Sequence, residues 1–568
     1  MGWGPDRWRL YRLALREAAR SVRGLSAPLA RWPRLRPPTP GRLLFAPHDL
    51  RTADATVAND IYAGYFVFAD RMLNTGGRSP FEFAAPSHAW GEAFYGFGWL
   101  RHLRAADTAI ARANARSLVG DFLKRGRREP AVARETHVVA RRLVAFLSQS
   151  PLLLEGADHE FYGRFERAIG RAVRDLERDV PRPLRPERRL SAAVALCYAG
   201  LCCEGFDPVL RRGQRLLVRE LDRQILLDGG HISRNPRLLV ELLLDLLPLR
   251  QTFASRGIEA PRALMQAIDR MLPMLRLLRH GDGTLSHFNG MGRTAADHLA
   301  TLLMYDEARA QALMHAPHSG YERLAAGATL IVADVGPAPA TRFSAEAHAG
   351  CLSFELSSGG SRIVVNCGAG GRVRDGLGPL GRATAAHSTV TVADVSSCRF
   401  VDAQGWWGER AVGAWLVRRL GPAILTGPTE VPAERREREG VETLTASHDG
   451  YRDRFGLVHE RRWRLGADGA WLEGEDRFQR GGGGPDDAAI RFHLHPAVAA
   501  AMAEGEAVRL RLPNGEIWHF AASCAGVSLA ESVFFAATDG MRRAEQIVVP
   551  VRMSETPAVR WRFERAPA

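Results

Sequence analysis

Lysine is almost missing from this 568-residue chain: Lys124 is the only one, and the remaining basic residues are all arginine. Such a skew, beside abundant alanine and glycine, reads as compositional bias and not as selection for phosphate contacts. Long apolar runs are also missing; none reaches eighteen residues, which excludes a transmembrane helix. The 7 cysteines are odd in number and hold no C-x-x-C pair, so neither a disulfide framework nor a zinc ribbon is expected. Cys197, Cys202 and Cys203 fall in an apolar helical stretch, as small core residues do. The N-terminus has no continuous apolar h-region, so no secretory signal is recognised. A cytoplasmic location is expected, with the periplasm as the alternative.

Charge is what the chain does have. The net charge is +14, but residues 1–42 carry ten arginines against Asp6 and Glu17 and supply more than half of it. The rest is mildly basic, which suits an anionic polymer but is no nucleic-acid footprint. Residues 1–42 therefore read as a basic arm ending in a Pro-rich linker at 32–41, WPRLRPPTPG. Trp8, Arg9, Arg12 and Arg16 interrupt its apolar positions, so a solvated or loosely packed arm is expected, with weak membrane-surface contact as the alternative.

Two periods divide the remainder. Over 43–319 apolar residues recur at helical spacing, as in Phe161, Phe165, Ile169, Val173 and Leu176. Segments at 88–104, 107–125, 134–148, 158–179, 188–204, 207–226, 235–255, 260–279 and 292–304 repeat with short breaks. Serial helical hairpins of this kind predict an α/α toroid. Over 320–568 the period becomes two. CLSFELSSGGSRIVVNCG, HERRWRLGADGAWLEGEDRF and VRLRLPNGEIWHFAA read as hairpins, the last two turning at 467–469 and 514–515. Many strands without intervening helices predict a C-terminal antiparallel β-sandwich. The charged stretch ERREREG (434–440) and the segment GGGGPDD read as solvated loops.

Several motifs carry chemistry in order: DGGHISRNPRLLVELL (228–243), HGDGTLSHFNGMG (280–292), ATAAHSTVTVAD (383–394), SHDGY (447–451) and IRFHLHP (490–496). Together they resemble the heparinase II/III-type polysaccharide lyases. The resemblance implies β-elimination on a uronate-containing acidic polysaccharide, in a cleft between toroid and sandwich. That reaction needs donors that neutralise the carboxylate, a base for the C5 proton and an acid for the departing oxygen. It requires no metal or organic cofactor.

His387 is the leading base candidate. Alternation in HSTVTVAD sends Val390 and Val392 to the core and His387 the other way, toward solvent or the toroid. An inert interface histidine is the competing role. His231 follows Gly229–Gly230 and precedes Arg234 and Asn235, candidate substrate contacts; Asn235 before Pro236 is equally a natural helix N-cap. His287 and Asn289 lie in a loop where relatives place a catalytic tyrosine, yet 280–292 contains none. Either His287 substitutes, or a tyrosine such as Tyr451 enters from elsewhere, or elimination is impaired. Trp406 in QGWWGER is a candidate sugar-stacking surface. A structural zinc in the sandwich would draw on His448, His493, His495 and Asp402. The alternatives to a lyase are a non-catalytic polysaccharide-binding or export-associated protein on the same scaffold, and a glycoside hydrolase using Asp228 and Glu241.

Overall fold

The structure is a computed structural model that describes residues 5–25, 39–126, 128–181, 185–305, 311–370, 378–403 and 407–567. Helices occupy the first half where the 3.6-residue period places them, including His159–Asp179, Pro186–Cys202, Asp207–Gln224, Pro236–Ser255 and Arg262–Leu277. Their apolar faces share one core, in which Phe165, Leu196, Leu246 and Met271 are fully enclosed. The segment expected at 88–104 breaks into His88–Tyr95 and Leu100–Ala106, because Phe97 takes a left-handed conformation (φ 57°) between Gly96 and Gly98.

Among the described residues the second half is built on two large antiparallel sheets, with a small two-stranded one pairing Arg399–Phe400 with Ile424–Thr426. Among these residues, one large sheet runs from edge to edge as Ala433–Arg438, Val441–Tyr451, Leu457–Leu465, Trp471–Arg480, Ala558–Arg565, Ile517–Ala522, Val508–Arg511 and Ala499–Met502. The other includes Arg542–Arg552, Asp487–Leu494, Ser361–Val365, Phe354–Ser358, Thr329–Asp334 and Tyr321–Ala326. Thr329–Asp334 is buried along its whole length. Leu330 and Val332 join the helical core while Ile331 and Ala333 face the sandwich core. One strand thus serves two cores, which welds the halves and explains why TLIVAD reads as a continuous apolar run.

Two expectations fail. The described part of the N-terminal arm is not loose: Pro5–Leu25 is a helix packed on Trp407–Leu420 through Leu10, Leu13 and Ala14 against Val412, Trp415 and Leu416, while most of the Pro-rich linker lies outside the described residues. Glu17 is fully enclosed there among Arg20, Arg342 and Arg419. The stretch read as a charged loop is the edge strand Ala433–Arg438, paired with Val441–Ala446. Its alternating arginine and glutamate hide the strand period, and charge on an edge discourages further strand pairing.

Candidate functional site

The seam between toroid and sandwich is built first from a tight turn. A side chain on Gly230 would place its Cβ 1.8 Å from Ser319 Oγ, so only glycine lets the two halves approach there. Asp228 accepts from the Ser319 backbone N–H (2.6 Å) and hydroxyl (2.7 Å), a structural tie that removes it as a hydrolase carboxylate.

His231 follows, buried. The Ser233 N–H donates to its Nδ1 (3.1 Å), leaving Nε2–H to donate to Gln224 Oε1 (3.2 Å). Burial pushes its pKa down to about 4, and with its Nδ1 lone pair taken by the Ser233 N–H the ring is bonded on both sides within the fold. Arg234 also departs from expectation. Its guanidinium donates to the carbonyls of Ser319, Gly320, Gly336 and Pro337 and to the Asp334 carboxylate, over the Tyr321 ring. It clamps sandwich to toroid, with no donor left for a substrate. Asn235 is an N-cap: its Oδ1 accepts from Arg237 N–H (2.9 Å), and its amide donates to Glu346 (3.0 Å).

The loop at 280–292 contributes on two sides. The His287 N–H donates to Glu355 Oε1 (3.1 Å), and its Nδ1 lies 3.2 Å from the same oxygen. Burial opposes charge on Glu355, yet Arg362 beside it, with His287 and His280, holds its carboxyl well below the usual range. His287 is therefore held by a buried carboxylate, with its ring edge against Phe534. Asn289, in a left-handed conformation (φ 45°), donates to the Tyr321 hydroxyl (2.9 Å) and Asp334 (3.0 Å) and accepts from His348 N–H (3.2 Å).

His387 completes the chain. It precedes the short strand Val390–Val392, whose valines face the core as expected, but the imidazole is buried instead of facing solvent. Its Nδ1–H donates to Ala383 O (2.7 Å), and its Nε2 accepts from His348 Nδ1–H (2.9 Å). Burial lowers the His387 pKa to about 4, and burial with the facing His387 holds His348 well below its ordinary value. The structure thus joins His387, Asn289 and Arg234 through His348, Tyr321 and Asp334, three residues that the sequence reading passed over. Tyr321 opens an apolar strand and His348 sits in AEAHAG; neither has a local signal apart from residue type.

The tyrosine entering the seam is Tyr321, not Tyr451. The Tyr451 hydroxyl donates to Val390 O (3.0 Å) inside the sandwich, and burial pushes its pKa up. Trp406 lies outside the described residues. The four residues weighed for zinc do not converge. Gly450 N–H donates to His448 Nδ1 (3.0 Å), and His448 passes a hydrogen bond to His459 (3.3 Å), itself bound to Asp476 (2.6 Å). His493 is held by Ser532 (2.7 Å) and Ala385 O (2.9 Å). Asp402 is exposed, and among the described residues these four form no ligand group. A concavity of 540 Å³ lies elsewhere, on the outer sheet face, where Arg462, Arg464, Arg560 and Arg562 alternate with Glu473 and Glu475.

A helical toroid sealed onto an antiparallel sandwich, with polar side chains of both gathered at the seam, defines the toroid-and-sandwich architecture of polysaccharide lyases. The family model for the heparinase II/III-like C-terminal region matches residues 308–562. FtsZ-localized protein C of Caulobacter vibrioides is 32% identical over 555 residues, 93% of this chain and 91% of that one. The crystal structure of heparinase III superposes with a TM-score of 0.68 at 12% identity, over 99% of this chain and 92% of that chain. A mutant of heparan sulfate lyase HepC from Pedobacter heparinus gives 0.63 at 14%, over 99% and 89%. The chain belongs to the heparinase II/III-type family.

Proposed function

We propose that this chain keeps the lyase scaffold without the elimination chemistry, binds an acidic uronate-containing polysaccharide, and works with FtsZ in the cytoplasm. The observation that carries the loss of chemistry is His387: its ring is buried, its Nδ1–H is given to Ala383 O, and its Nε2 lone pair already accepts from His348. A base must meet the C5 proton within hydrogen-bond reach. The link to FtsZ rests on the name and the 32% identity of the Caulobacter relative. Purified protein incubated with glycosaminoglycans, alginates and bacterial uronate polymers is expected to give no near-ultraviolet unsaturated product, while pelleting with FtsZ polymers. A product whose yield falls in His387→Ala would overturn the first half; failure to pellet would overturn the second.

Elimination remains the second reading, favoured by one observation. Imidazole, amide and phenol (His387 through His348, Asn289, Tyr321) lie in one hydrogen-bonded series at the seam. On this reading Tyr321→Phe abolishes product formation. The N-terminal helix supports one more contact. Trp8, Leu15 and Val22 are exposed on one face, among Arg12, Arg16 and Arg20, a pattern suited to weak attachment at an anionic membrane surface.

A further inference from the structure

We infer that His88, Glu92 and Glu135 form a divalent transition-metal site of the zinc type on the toroid wall, with His137 as the positioning residue beside it. The four come from two helix starts. His88 opens the helix His88–Tyr95, whose N-cap Ser87 accepts from Trp90 N–H, and Glu92 lies one turn on, on the same face. Glu135 is the residue before the helix Thr136–Ser148, and His137 is its second residue. The contact of His88–Tyr95 with the turn Ala131–Arg134 brings the pairs together.

Their donor atoms close a ring. His88 Nε2 is 2.6 Å from Glu135 Oε1, and His88 Nδ1 is 3.6 Å from Glu92 Oε1. His137 Nε2 is 2.7 Å from that same Glu92 oxygen, and its Nδ1 is 3.8 Å from Glu135 Oε2. One donor atom each from His88, Glu92 and Glu135 falls within a common 4.8 Å. In a tetrahedral site with bonds of about 2.1 Å, neighbouring donors are about 3.4 Å apart, so small side-chain shifts accommodate an ion. One imidazole and two carboxylates suit zinc or its borderline neighbours and leave a position open to water. His137, donating to Glu92 from outside, orients that carboxylate, and its buried Nδ1 has no hydrogen-bond partner among the described residues.

Arg188 also reaches Glu135, but at the other oxygen, Oε2 (2.8 Å). His88 is more than half exposed, so an ion has an entry path. The site stands near the seam: the charge of Glu92 acts on Arg237, which is paired with Glu346, the acceptor of the Asn235 amide. A bound cation would pin two toroid helices together and alter the field at that corner.

Calorimetric titration of chelator-stripped full-length protein with zinc ions tests this. Saturable one-to-one binding is expected, weakened more than about tenfold in His88→Gln and Glu92→Gln and by about 10- to 100-fold in His137→Ala. The exposed His318→Ala serves as the control expected to bind like the parent. The nearly isosteric Glu92→Gln leaves the fold intact, which circular dichroism verifies. No one-to-one binding, or equal binding by Glu92→Gln and His88→Gln, would overturn the proposal.

Discussion

Acidification should weaken this fold in a defined window. His231 and His387 are buried with pKa lowered to about 4, and His493, also buried, to about 3. In the unfolded chain each takes a proton near pH 6.5. Between about pH 6.5 and the folded values the unfolded state therefore binds more protons, so the contribution of these histidines to stability falls as pH falls through that window and levels off only below their folded values. From pH 7 to pH 5 a group shifted from about 6.5 to about 4 loses roughly 2 kcal/mol, and the three together roughly 5 to 6 kcal/mol. That is comparable with the entire stability of an ordinary domain, about 5 to 15 kcal/mol. Urea unfolding at pH 7, 6 and 5 should show the midpoint dropping steadily, and His387→Gln should remove about 2 kcal/mol of the loss between pH 7 and pH 5. Nitrogen NMR of the imidazoles reads the same quantity directly. A midpoint above pH 6 for His387 would refute the reasoning and make it available again as a base at neutral pH.

Other outcomes follow from single contacts. Arg234→Met strands Asp334 and four carbonyls at the seam and should cost about 3 to 5 kcal/mol, read as a lowered urea midpoint, with most of the loss suppressed in the Asp334→Asn background. Asn235→Ala removes the cap and the amide's hydrogen bond to Glu346, about 1 to 3 kcal/mol by the same measurement, and should leave polysaccharide retention on an affinity column unchanged. Replacing Leu15 and Val22 by serine should reduce co-sedimentation with anionic vesicles several-fold without altering the melting curve, because both side chains face outward. Equal sedimentation of parent and variant would remove the membrane contact.

Much of the architecture was legible because it is local. The helical period from Phe161 to Leu176 and the two-residue alternation from Leu457 to Leu465 each follow from one buried face, so residue order alone reports them. The charged strand Ala433–Arg438 escaped because neither of its faces is apolar. Motif order carried the family likeness and brought His387, Asn289 and Arg234 to attention. What those groups do was set elsewhere. His348, Tyr321 and Asp334 come from separate segments of the sandwich half, and no spacing in the chain foretells that His348 faces His387 at 2.9 Å.

Residue order by itself determined the two halves, their change of period and the family. Only the tertiary structure decided that the polar groups at the seam are enclosed and bonded to one another. Burial, hydrogen-bond partners and the resulting pKa all depend on what the rest of the chain packs around a side chain. For His387 that surrounding is Gly350, Ala383 and His348, which bury the ring and bond both of its nitrogens.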